Sequence, residues 1–171
     1  RMIHDGKLKL KKVGNDRTVT LHDNCQAKPH GNHFFNSARE ILELLGYKVT
    51  EMKHNKGSAL CCGMAAFAAK HSIDDIFAAS SRRLKEAEET GSKTLATYCT
   101  GCLWTLTMAN TLNPRSKLST CHLIELVQIA LGEKPAHRHN ERAKQIFDEA
   151  MKGASALATR KERIWLKRET S

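Results

Sequence analysis

Hydrophobic and polar residues change period several times between residues 17 and 133, and each change marks an element. Arg17 to His22 alternates Val19 and Leu21 with Thr18 and Thr20, a period of two that predicts a strand ending just before Cys25. A turn-rich stretch, Pro29-His30-Gly31-Asn32, comes next. Ala38, Ile41, Leu42 and Leu45 then recur at helical spacing, with Asn36 placed to cap the start and Gly46 to end the helix. Tyr47 to Met52 reads as a second strand, Lys53 to Leu60 as a loop delivering Cys61 and Cys62, and the Ala-rich stretch past Gly63 as a short helix. Ser72 and Asp75 have capping-box spacing ahead of a helix that buries Ile73, Ile76, Phe77, Leu84 and Ala87 and closes at Gly91. Thr94 to Tyr98 predicts a third strand. It runs into Cys99 and a helix on which Trp104 and Met108, four residues apart, read as core. Lys117 to Thr120 predicts a short fourth strand, followed by a helix with Leu123, Leu126, Val127 and Ala130 inward and Gly132 at its end.

Strands separated by helices imply an α/β fold, a parallel sheet with flanking helices and right-handed crossovers. In such a sheet the carboxyl ends of the strands open on one edge, where ligands sit. The expected organisation is a basic segment or linker over residues 1–16, one domain over 17–133, and a helical extension over 134–171. In that extension Ala143, Ile146, Phe147 and Ala150 precede Arg160, Lys161, Arg163, Lys167 and Arg168, a pattern expected to dock on a larger assembly.

Composition narrows the function classes. With 171 residues and 40% hydrophobic content the chain can bury a core as a single domain. Its net charge of +10 resides mostly at the two ends. No nucleic-acid recognition motif accompanies that charge, and aromatic residues at 5% offer few stacking platforms, so solvated basic helices or docking onto an acidic redox partner fit better than nucleic acid. No apolar run reaches the ~18 residues of a membrane span. The charged stretch Lys7 to Lys12 is unlike a signal peptide, and a cytoplasmic setting is the expectation.

Five of the six cysteines form one pattern: Cys25, Cys61-Cys62-Gly63, and Cys99-Thr100-Gly101-Cys102. Adjacent Cα atoms lie about 3.8 Å apart, short of the roughly 4.4 Å a disulfide needs, so Cys61 and Cys62 do not bridge each other. Thiolates gathered from three loops suit a soft metal or an iron-sulfur cluster. Cys99 to Cys102 falls at a predicted helix N-terminus, where backbone NH groups favour thiolates. Gly63 and Gly101 either open room for NH groups to approach sulfur or serve turns. The strand-CxxC-helix order also fits a thioredoxin-like redox motif, which leaves Cys25, Cys61 and Cys62 without a role. Four of the five thiols would satisfy a structural zinc. Cys121, outside the pattern, reads as a buried small hydrophobe. His22 and His122 are candidates for orienting a ligand or delivering a proton, with a structural role as the equal alternative, and no ligand spacing links His30, His33 and His54.

The cysteine pattern, with His22-Asp23, Arg39-Glu40-Ile41-Leu42, Glu51-Met52 and His122-Leu123-Ile124-Glu125-Leu126 around it, resembles the CCG cysteine-rich domain of heterodisulfide reductase-like iron-sulfur oxidoreductases over residues 17–133. The resemblance implies a noncubane [4Fe-4S] cluster on Cys25, Cys61, Cys62, Cys99 and Cys102, or zinc in its place. It also implies disulfide reduction or electron relay, with an iron-sulfur or flavin protein as donor and a disulfide or quinone-linked acceptor. Three positions depart from the family's habit: Asn24 and Thr100 stand where proline is common, and Met64-Ala65-Ala66 where glycines are.

Overall fold

The computed structural model describes residues 5–11, 17–65, 72–113 and 115–158. Four strands, β1 (Thr18–His22), β2 (Lys48–Val49), β3 (Thr94–Thr97) and β4 (Ser119–His122), form one all-parallel sheet in the order β2-β1-β3-β4. The register sets His22 beside Thr97 and Thr97 beside His122, so β1, β3 and β4 end level. The chain leaves β1 toward β2 on one side and reaches β3 on the other. That reversal makes the carboxyl rim between β1 and β3 the topological switch point where α/β sheets bind ligands.

The two faces of the sheet follow from strand alternation. Val19 and Leu21 point to one side with Ala96 and Cys121, and are covered by α1 (Asn32–Leu44) and α4 (Leu123–Ala130) through Ala38, Leu42, Leu123 and Leu126. On the other side Leu95 packs with Leu84 and Ala87 of α2 (Ile73–Glu89) and with Cys102, Leu106 and Ala109 of α3 (Thr100–Thr111). A last helix, α5 (Arg138–Ala158), lies along α3 with Ala143 buried. The side chains of Phe147 and Ala150 and the basic residues from Arg160 onward lie outside what the structure describes.

Several boundaries differ from the sequence reading. Helix α1 begins at Asn32, not at Asn36: Gly31, at φ 72°, turns the chain, and the first turn carries Phe34 and Phe35, of which only Phe35 is buried. β2 keeps two residues of the six expected, Lys48–Val49, with the Thr50 amide still donating to the Val19 carbonyl at 2.9 Å beyond its end. β4 lies two residues later than the pattern suggests. The box at the start of α2 is present in full: Ser72 Oγ accepts from the Asp75 amide at 3.2 Å and Asp75 Oδ2 accepts from the Ser72 amide at 3.1 Å. Trp104 is not core. Its helix buries Cys102, Leu103, Leu106 and Ala109, which leaves Trp104 44% exposed and Met108 partly covered. The short helix expected after Gly63 falls mostly on residues 66–71, outside the described residues.

One ionic clamp, buried at Asp23 and Arg39 and exposed at Glu51, fixes the loops at the rim. The Arg39 guanidinium meets both oxygens of Asp23, at 3.0 and 2.8 Å, and both of Glu51, at 2.5 and 2.8 Å. Asp23 also accepts from the Lys56 amide at 2.6 Å and the Tyr98 hydroxyl at 3.1 Å. Burial opposes ionisation of Asp23, but those donors outweigh it and hold its pKa below the ordinary 3.8. The clamp thus ties the exits of β1, β2 and β3 to α1, and three of the flanking motifs of the sequence supply its charges.

Candidate metal centre

The five patterned cysteines leave the sheet at its switch point. Asn24 ends β1's exit and caps a 3-10 turn over Cys25–His30, its side-chain oxygen accepting from the Ala27 amide at 2.8 Å. A proline at 24 would lack that cap, so the substitution is a local exchange of one turn-forming device for another. Cys99 is the N-cap of α3 and Thr100 its first residue, a position where proline is favoured and where the unpaired amide makes threonine equally compatible. Cys61 and Cys62 arrive from β2 along a loop that includes a 3-10 turn at Lys56–Ser58.

Cys62 and Cys102 are in contact, Sγ to Sγ 3.2 Å, and both are buried. Cys99 packs against the same cluster, and Gly63 N donates to Cys61 Sγ at 3.3 Å. Cys25 follows the end of β1 at the same rim; burial raises its thiol pKa first, and the charges of Cys61, Cys62 and Cys99 raise it further. Of the pair, Cys62 is the one whose thiolate form the surroundings favour. Hydrogen bonding from Cys102 stabilises it most, with His22, Thr105 and the Met64 amide adding to that against the cost of burial. The Cys102 pKa is pushed up by the bond to Cys62 and by burial.

Of the two motif glycines Gly63 is sterically required, whereas Gly101 meets only a flexible side chain closely. Gly63 sits at φ 98°, and a Cβ there would lie 2.6 Å from the Ile76 carbonyl oxygen of α2. Ser80 on the same helix holds the motif from the other side, its hydroxyl 2.6 Å from Cys62 O. A Cβ at Gly101 would press on Met64 at 3.3 Å and approach Cys99 Sγ at 3.9 Å.

His22, Cys62 and Cys102 present their ligand atoms within 4.8 Å of one another, all buried. Hydrogen bonding decides what His22 does there. Arg83 Nε donates to His22 Nδ1 at 2.8 Å, and a guanidinium has no acceptor, so Nδ1 holds the lone pair and Nε2 the proton. Burial also depresses the His22 pKa, which keeps the ring neutral. Nε2–H therefore faces Cys62 as a donor and is not offered to a metal as a lone pair. Arg83, fully buried, is in turn held by Glu86 at 2.6 Å and the His54 carbonyl at 2.6 Å, and Glu86 pairs with His54. Arg83 is the functional residue that sequence reasoning misses; its place one turn beyond Ser80 on α2 is the only available signal.

The remaining candidates are structural. His122 caps α4, Nδ1 accepting from the Ile124 amide at 3.3 Å while its own amide donates to Glu125 at 2.8 Å. Cys121 is 3% exposed in the opposite core, and burial pushes its pKa up to about 12. His30 stacks near Phe34, and all six cysteines are free of disulfides. A surface concavity of about 620 Å³ is lined by Lys93, Arg115 and Lys117 at the amino ends of the strands, away from the cysteines. Concavity does not mark the cysteine site; chemistry does.

The donor set fits a polynuclear thiolate centre. Five sulfurs exceed the four of a mononuclear tetrahedral shell. Among the described residues Thr20 Oγ1, Asn110 Oδ1, His22 Nε2 and Arg83 Nη2 are buried without a hydrogen-bond partner by geometry, and of these His22 Nε2 faces Cys62. No helix in the described residues is long and apolar enough to cross a membrane. Compared with known sequences, residues 19–107 match the CCG family, described as a cysteine-rich domain. No curated protein matches the chain.

Proposed function

The chain belongs to the CCG cysteine-rich domain family, a family whose donor set is consistent with metal or iron-sulfur binding, and from that membership we propose that Cys25, Cys61, Cys62, Cys99 and Cys102 hold a noncubane [4Fe-4S] cluster in an oxidoreductase component of the heterodisulfide reductase kind. The observation that supports the reading is the 3.2 Å contact of buried Cys62 with Cys102, next to Cys99 and the His22 imidazole at the carboxyl rim, with Cys25 and Cys61 on the loops that leave β1 and β2 toward the same rim. When bound, such a cluster supplies one-electron chemistry for reducing a disulfide or relaying electrons to an acceptor. This chain's own residues bind and bias it. Cys25 and Cys61 are half-buried and lie on the solvent side, where a substrate sulfur would approach, whereas Cys62 and Cys102 anchor the inner side. The neutral His22 donates to sulfur, and the Arg83 cation offsets the accumulated thiolate charge. The Asp23–Arg39–Glu51 clamp holds the exits of the three strands so that the sulfurs do not spread.

Electrons reach the centre from a partner, an iron-sulfur or flavin protein, and leave to a disulfide or quinone-linked acceptor. The half-exposed Trp104, two residues past Cys102, and the basic end of the chain are the surfaces such partners would meet. The domain with this role spans residues 17–133, with the C-terminal helix as its extension. The test is anaerobic: protein loaded with iron and sulfide, reduced chemically, is mixed with a small aliphatic disulfide. Reoxidation with release of two thiols per disulfide, taking up two electrons and two protons, is the expected result; a reduced centre that persists in disulfide contradicts disulfide reduction.

A further inference from the structure

A second ligand cluster lies apart from the cysteines, at the start of α5. Glu125, His137 and His139 place one ligand atom each within 4.8 Å of the others. Glu125 Oε1 is 3.1 Å from His137 Nδ1 and 3.5 Å from His139 Nδ1. Its other oxygen accepts from the His122 amide at 2.8 Å, which fixes the carboxylate as part of the α4 cap.

The hydrogen bond on the far side of His139 is decisive. Nε2 lies 2.9 Å from the Thr120 carbonyl oxygen of β4, and a carbonyl only accepts, so Nε2 carries the proton. Nδ1 is then the ring atom turned toward the Glu125 carboxylate, and with His139 and Glu125 13% and 14% exposed the pair calls for a cation between them, a metal ion or the proton of an imidazolium. An imidazole whose second nitrogen donates to a backbone carbonyl is also the arrangement that orients a metal-binding histidine.

Distances and backbone agree with that reading. Ligands at ~2.0–2.2 Å in a tetrahedral shell sit ~3.3–3.6 Å from one another, close to the two edges measured here. His137 adopts φ 45°, a conformation a non-glycine residue enters at a cost, and doing so brings its ring to 6.0 Å from that of His139 in an edge-on arrangement.

We propose that Glu125, His137 and His139 bind a divalent transition-metal ion of the zinc class, with solvent in the open position, and so fasten the start of α5 to β4 and α4. Two imidazoles and one carboxylate suit zinc and its neighbours and disfavour magnesium or calcium, which take oxygen ligands. No thiol belongs to the site, so it is independent of the cysteine centre and of the function proposed for it.

Cobalt(II) is the probe, added to the whole chain. Thiolate-bound cobalt shows strong sulfur-to-metal charge transfer and marks the cysteine centre, whereas cobalt on nitrogen and oxygen shows only weak ligand-field bands. The expected result is one further equivalent per chain without thiolate charge transfer, displaced by zinc and weakened more than ~10-fold in H139A and in H137A. His137 is 44% exposed, so H137A reports even where H139A fails to fold, and retained thiolate charge transfer shows that the domain is intact. Absence of that equivalent in the wild type, or its survival unchanged in H137A, overturns the proposal. A protonated His139 paired with Glu125 in place of a metal produces the first of those results.

Discussion

Cys62 and Cys121 are almost equally buried, 2% and 3% exposed, yet they lie in cores on opposite faces of the sheet and differ in every chemical respect. Around Cys121 stand Val19, Leu21, Leu123 and Leu126, and burial drives its thiol toward the protonated form. Around Cys62 stand a thiol, an imidazole N–H, a hydroxyl and a backbone amide, and at the same degree of burial these donors draw its pKa down. Accessibility therefore does not predict a cysteine's reactivity. Donors do.

The polar face holds Thr20, His22, Ser80, Arg83, Thr107 and Thr120, all at or below 2% exposure, a concentration of buried polarity that the apolar face lacks. Buried polar groups cost free energy unless satisfied. Thr107 and Thr120 pair with each other at 2.9 Å, Ser80 bonds backbone, Thr20 Oγ1 has no partner, and His22 and Arg83 each keep one nitrogen without a hydrogen bond. A face built for stability alone would have carried leucine at those two positions.

Three perturbations separate the faces, beginning with the most severe. C62A removes the central sulfur and is expected to abolish metal binding, at least ~10-fold lower occupancy at equal loading, whereas C121A keeps full occupancy at a stability cost of about 1 kcal/mol. Equal metal loss in both would erase the distinction between the cores. R83M deletes a fully buried cation that Glu86 and His22 both use, and breaking such a group costs about 3 kcal/mol. Nitrogen-15 NMR of the imidazole should find Nδ1 bare and Nε2 protonated in the wild type and a loss of that preference in R83M. The opposite wild-type tautomer would return His22 to the set of metal ligands.

The smallest effect is electrostatic. Asp23 has a folded pKa below its ordinary 3.8. Its contribution to stability is thus fully present above that ordinary value and is lost as pH falls through the depressed one. D23N lacks this contribution at every pH. Urea midpoints of wild type and D23N are expected to differ most near neutrality and to converge in acid; a gap independent of pH would mean that the clamp acts through shape and not charge.

Much of this is legible from sequence because it rests on local or topological rules. Periodicity finds the four strands and places Cys25, Cys61, Cys62, Cys99 and Cys102 after their carboxyl ends, and the Ser72–Asp75 spacing finds its cap. What escapes depends on contacts between distant residues. Asn36 looks like a cap because Gly31, whose positive φ starts α1 a turn earlier, reads as part of a turn. Nothing in the spacing of His22 and Arg83, or of Thr120 and His139, announces that one fixes the tautomer of the other. Trp104 and Met108 meet the helical rule for a buried pair, but α3 already turns Cys102, Leu106 and Ala109 inward.

Iron and acid-labile sulfide, measured on anaerobically purified protein beside zinc, test the central claim most directly. The account predicts a brown protein with about four iron and four sulfide per chain, lost when any of the five patterned cysteines becomes alanine and kept in C121A. Stoichiometric zinc on those cysteines with neither iron nor sulfide, even after anaerobic reconstitution, would contradict it.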